Sequence, residues 1–156
     1  YVTGLSMGGG GAWGMAGKCS EKIAAVIPIA GAAGANSTYA KNMFDHHVSV
    51  WAFHDQDVAT VAISNSDGWM NAFVSLMGST NKVRDVNPTG NPAMTAHRRA
   101  DHVWEWLTPV SPTNSAGYNY PHEIHYTVYP TGGHDAWTRT YSNEAVWTWL
   151  FQQVRH

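Results

Sequence analysis

The chain has 156 residues, of which 44% are hydrophobic, and carries a formal net charge of −2. That length suits one domain with a real core, and the apolar content excludes a disordered tail. With no run of like charge and no apolar stretch near the ~20 residues of a membrane span, nucleic acid is excluded as a partner and so is a bilayer-crossing helix.

Tyr1-Val2-Thr3 reads as the end of a strand, followed by a Gly-rich turn and a helix from about Gly9 to Cys19. Ala24 to Ala30 is a short continuous apolar run, as expected of a strand buried on both faces. A loop begins at Gly31, with a short helix ending near Phe44. Val48 to Phe53 is the next strand, rich in β-branched and aromatic residues. Ser64 to Met77 places Trp69, Phe73, Leu76 and Met77 on one helical face. Gly78 to Pro121 is irregular and proline-punctuated, with a helix expected over Thr95 to Leu107. Because long structureless loops are usually lids or functional loops, the segment at about 79–121 reads as an insertion. Ile124 to Tyr129 is a further strand, and a final helix spans about Asn143 to Val154. Strands alternating with helices imply one α/β domain over 1–156, a parallel sheet with helices on both faces.

Charged residues make up 13% of the chain, about half the usual ~25% share. With many Trp, Asn, Ser and Thr, this hints at a secreted or periplasmic protein. Cys19 is the only cysteine, which excludes an intrachain disulfide, and it reads as a small buried residue.

Gly4-Leu5-Ser6-Met7-Gly8 matches G-x-S-x-G, the nucleophile elbow, in which a strand turns abruptly into a helix and leaves a serine at the tip. Gly4 and Gly8 are expected to relieve crowding there. Ser6 would stand at the sheet's C-terminal edge, with the Met7 N–H placed to donate to an oxyanion. A phosphate cradle is the competing account. A P-loop would need Gly-Lys-Ser/Thr and a dinucleotide fold an acidic residue some ~20 positions on; Lys18 and Glu21 fit neither. His134, in the Gly132-Gly133-His134 loop directly after the last strand, lies where a triad base belongs on such a sheet. Trp137 is placed near the site, as a substrate-binding residue. His46-His47 and His122-x-x-His125 lack a His-Glu-x-x-His frame and are read as scattered loop and strand histidines, so no metal or cofactor is expected.

"YVTGLSMGGGGAWGMA", "VWAFHDQD" and "YTVYPTGGHDAWTRTYSNEAVWTWL" resemble the C-terminal half of α/β-hydrolase-fold esterases. The resemblance is to the predicted peptidase or phospholipase/carboxylesterase group, with an elbow similar to that of polyester hydrolases. It covers residues 1 to about 78 and 122 to 156. It implies an acid after the strand Val48–Phe53, in the pattern H-G-x-x-D-x-x-V-P. Here His54-Asp55-Gln56-Asp57-Val58-Ala59-Thr60-Val61-Ala62 puts Val58 where the aspartate belongs and Asp55 in place of the glycine. Asp57, one residue early, is assigned as the acid, Asp55 is the second candidate, and a lost acid is the third. The resemblance also implies that His54 supports the acid loop.

In that family the elbow follows the fifth strand, so the chain reads as the C-terminal part of a longer hydrolase. Its first strand would then present an open edge suited to self-association. The expected activity is hydrolysis of small or polymeric carboxylic esters through Ser6, His134 and Asp57. A serine peptidase, a non-catalytic binding module with a decayed acid site, and an inert truncated product are the alternatives.

Overall fold

A computed structural model describes residues 1–84, 94–108 and 123–155. In chain order the elements are β1 (Val2–Leu5), α1 (Met7–Lys18), a 3-10 turn (Ser20–Lys22), β2 (Ala25–Ile29), α2 (Ser37–Asp45), β3 (Ser49–Asp55) and α3 (Ser64–Leu76). There follow β4 (Thr95–Arg98), β5 (Trp104–Leu107), β6 (Ile124–Tyr129), α4 (Ala136–Tyr141) and α5 (Glu144–Gln152).

The strands form one sheet in the order β1-β2-β3-β6-β5-β4. The pairings from β1 to β6 are parallel, whereas β6–β5 and β5–β4 are antiparallel. Three of the five pairings are parallel, so the sheet is mostly parallel as expected, but it ends in an antiparallel portion outside the sequence expectation. The source of the difference is the Thr95–Leu107 segment, expected to be helical and found as the β4–β5 hairpin. Its residues alternate: Trp106 is buried with Tyr126 against the main core, while neighbouring Glu105 is only half-buried and pairs with Arg99. A period of two seats such a segment beside β6, where Trp106 lies opposite Tyr126.

Side-chain alternation also explains the two layers of helix. Val26, Val50, Ala52, Ile124, Tyr126 and Val128 point to one face and pack against α1, α2 and α3. Trp13 of α1 and Trp69 of α3 stack there, with ring centroids 4.6 Å apart and planes 6° from parallel. Ala25, Ile27, Ile29, Phe53 and Tyr129 point to the opposite face, under α4 and α5. Because both faces are covered, every residue of β2 is buried, as its unbroken apolar run requires.

The parallel register places Leu5 beside Ile29, Ile29 beside Phe53 and Asp55 beside Tyr129. The C-terminal ends of β1, β3 and β6 thus share one edge of the sheet, and the loops leaving them converge there. β3 runs two residues beyond its expected end because its ladder with β6 continues through His54–Val128 and Asp55–Tyr129. His54 and Asp55 are consequently buried strand residues rather than loop residues. α4 separates the last strand from the last helix. Asp135 caps it, its carboxylate accepting from the Thr138 N–H at 2.9 Å and the Thr138 hydroxyl at 2.7 Å.

Candidate active site

Ser6 sits between β1 and α1 at φ 53° and ψ −120°, outside the regions a non-glycine residue normally adopts. Such a conformation costs roughly 1–3 kcal/mol and persists only when its surroundings over-determine it. Here the Ser6 N–H donates to the Ile29 carbonyl at 2.9 Å, and the Ser6 carbonyl accepts from the N–H groups of Ala32 at 2.8 Å and Gly10 at 3.1 Å. The turn is thereby tied to β2, to the loop after it, and to the first turn of α1.

The glycines divide the work differently from the sequence expectation. A Cβ on Gly4 would lie 2.2 Å from the Gly8 carbonyl oxygen, so Gly4 is required. A Cβ on Gly8 would meet nothing within 4 Å, which corrects its expected role. The crowded position is instead Gly9, where a Cβ would lie 2.7 Å from the Ile29 carbonyl oxygen and 2.9 Å from the Gly31 Cα. Gly9 faces the loop after β2 and lets α1 approach it, whereas Gly8 faces outward.

The fold brings Ser6 and His134 together from opposite ends of the chain, with Ser6 Oγ 2.8 Å from His134 Nε2. If the hydroxyl donates, Nε2 accepts and the ring proton resides on Nδ1. His134 Nδ1 is buried and has no partner among the described residues. An unpaired buried donor costs about 1–3 kcal/mol, and this is the position a triad acid occupies. Trp137 lies beside the imidazole, edge-to-face, with ring centroids 5.1 Å apart.

Asp57 reaches the histidine loop but not the imidazole. Its carboxylate accepts from the Gly133 N–H at 2.8 Å and the Gly132 N–H at 3.3 Å. The Gly133 hydrogen bond, helped by that of Gly132, holds Asp57 below the usual carboxylate range. This carboxylate is therefore an anchor for the backbone just before His134. Asp55 lies deeper, wholly buried, with neither oxygen hydrogen-bonded among the described residues.

The loop that carries Asp57 is held by His54, as expected, and by Ser66 and Arg84, which no motif marks. The buried His54 ring donates from Nε2 to the Val61 carbonyl at 2.9 Å, and its Nδ1 is 2.7 Å from Ser66 Oγ. A carbonyl can only accept, so Nε2 carries a proton, and Ser66 donates to Nδ1 when the ring is neutral. Burial lowers the His54 pKa and favours that neutral form. Arg84 binds Asp67 of α3 through Nε at 3.0 Å and Nη2 at 2.8 Å. Its Nη1 donates to Gln56 Oε1 at 2.8 Å, next to Asp57. His54 thus links the far end of the loop to α3, and Arg84 links its near end to the same helix. Nothing in the sequence spacing marks Ser66 or Arg84 for this; only the folded path of the loop does. Of the histidine pairs noted in the sequence, His46 bonds Asn42 O and Ser20 Oγ through Nδ1, and His122 lies outside the described residues.

A four-stranded parallel sheet with helices on both faces, extended by an antiparallel hairpin, and a strained serine at a strand–helix turn together define an α/β-hydrolase-like fold. The fold is similar to that of a solved structure described as the crystal structure of a thermostable esterase, with a TM-score of 0.63 and 25% sequence identity. The likeness covers 99% of this chain and 31% of that one, so the chain spans under a third of the esterase's length. No protein-family profile matches the sequence, and no curated protein does.

Proposed function

We propose that this chain carries the nucleophile and base of a serine hydrolase that cleaves carboxylic esters through an acyl-enzyme. The observation that carries the reading is the 2.8 Å contact between Ser6 Oγ and His134 Nε2, made by a serine held in a strained turn. In this mechanism His134 Nε2 takes the Ser6 hydroxyl proton as Oγ attacks the ester carbonyl. The tetrahedral oxyanion is held by the Met7 N–H, which opens α1 and is among the first-turn donors that lack an intrahelical partner. Collapse of the intermediate expels the alcohol, which takes the proton back from His134. A water, deprotonated by the same imidazole, then frees the carboxylic acid.

Asp57 is the acid of this reading. It anchors the loop backbone before His134, and the reading requires it to reach Nδ1 in the substrate complex, since catalytic hydrogen bonds are often long or incomplete without substrate. Trp137, edge-on to the imidazole, forms part of the substrate wall. The neighbouring esterase supports the reaction class, though most of that protein's length has no counterpart here.

A fluorophosphonate probe tests the reading. Ser6 should be labelled, and Ser6→Ala should abolish labelling while the fold persists. An unlabelled Ser6 in a folded chain that still binds an ester would instead favour a non-catalytic binding module. Hydrolysis of peptide anilides in preference to p-nitrophenyl esters would favour the peptidase alternative.

A further inference from the structure

Asp55 is wholly buried at the end of β3, yet neither carboxyl oxygen has a hydrogen-bond partner among the described residues. A buried polar group without a partner is costly, and native structures usually give it a reason. What lies against it is the loop that carries His134. A Cβ built on Gly132 would be 2.7 Å from Asp55 Oδ1 and 2.8 Å from Arg139 Nη2, so the carboxyl and the guanidinium both abut the same bare Cα. Gly132 also has φ +147°, which a side chain would strain. Arg139, on α4, is committed elsewhere: it donates to the Thr131 carbonyl at 2.5 Å and lies over the Tyr129 ring, 4.6 Å from its centroid.

We propose that Asp55 is a positioning residue for the histidine loop, its protonation state deciding whether Arg139 is held by the Thr131 carbonyl or drawn across Gly132 to the buried carboxylate. The proposal rests on His134 being the base of the site. The arrangement seen, with Arg139 on Thr131, suits a neutral carboxyl, which exerts no pull on a cation. Ionisation puts a buried charge beside a guanidinium separated from it only by a glycine. The groups facing Asp55 are Arg139 on α4, Asp57 on the acid loop, Asp135 at the start of α4 and Tyr129 on β6. Arg139 is the only cation facing Asp55 among the described residues. Thr131 is three residues before His134, and releasing its carbonyl changes the tether of the loop. Burial, reinforced by Asp57 and Asp135 and opposed by Arg139, raises the Asp55 pKa to about 6.

The test follows the backbone amides of Gly132 and Gly133 and the side-chain carboxyl carbon of Asp55 by NMR between pH 4.5 and 8. The expected result is an inflection near pH 6 shared by the Asp55 carboxyl and both amides. It should persist in His134→Gln and disappear in Asp55→Asn. In the wild type the rate of Ser6 labelling should follow the same inflection. An Asp55 carboxyl that titrates wholly below pH 4.5 overturns the proposal, and so does an amide inflection that survives Asp55→Asn. Should Asp55→Asn not fold, the wild-type titration decides: Gly132 and Gly133 amides that do not inflect together with the Asp55 carboxyl overturn the proposal. The NMR readouts need no turnover, so a shared inflection beside an unreactive Ser6 would defeat the esterase reading, and with it the link to labelling rate, while the exchange between Asp55 and Arg139 would stand.

Discussion

Two adjacent glycines at the serine turn should respond to the same substitution with opposite signs. At Gly8 a methyl group enters open space on the exposed side of α1, and replacing a helical glycine by alanine gains up to ~1 kcal/mol. At Gly9 the same methyl would sit 2.7 Å from the Ile29 carbonyl oxygen and 2.9 Å from the Gly31 Cα. Ordinary contacts lie near ~3.5–4 Å, and neither obstacle is a flexible side-chain end, so backbone must move. Overpacking of this kind costs about 1–3 kcal/mol, which outweighs the propensity gain. The carbonyl in the way is the one that accepts from the Ser6 N–H, so the displacement reaches the nucleophile. Urea unfolding followed by tryptophan fluorescence should place Gly8→Ala at or above the wild type and Gly9→Ala roughly 2 kcal/mol below it. Fluorophosphonate labelling of Ser6 should be preserved in the first and slowed in the second. Equal stabilities, or damage confined to Gly8→Ala, would refute the reasoning about which glycine the turn needs.

Asp57→Asn keeps an acceptor for the Gly133 N–H but removes the charge; as the triad acid, it should lower p-nitrophenyl ester turnover by ~10⁴. A loss smaller than tenfold would restrict Asp57 to holding the loop backbone. His125, largely buried on β6, has its pKa lowered to about 4 by burial, with Glu123 opposing. Its folded value lies below the unfolded ~6.5, so the unfolded chain binds the extra proton and stability falls as pH drops through that window. Between pH 7.5 and 5 the wild type should lose on the order of 2 kcal/mol more than His125→Gln, and urea midpoints with matching pH dependence would contradict this.

Ser6 and His134 were legible because each follows a recognisable strand and each needs glycines around it, so local sequence carried the information. The acid was not. What Asp55 and Asp57 each touch depends on where β3 stops, and β3 stops two residues late because of its pairing with β6, a partner far along the chain. The β4–β5 hairpin was misread for a related reason. Its apolar residues suited either period, and the edge of β6 decides between them. α4 escaped notice because it has only six residues, and its cap, Asp135, sits directly beside the histidine motif. The role of Gly9 was hidden by the motif itself, which directs attention to Gly8.

β3 and β6 are neighbours through six register pairs, although everything from α3 to the hairpin lies between them in the chain. The acid loop and the histidine loop are therefore set by one ladder and not by the length of what connects them. Within that stretch α3 cannot be spared, because Ser66 and Asp67 tether the acid loop and Trp69 stacks on Trp13. One ladder fixes where the two loops begin, and α3 fixes where the first of them runs.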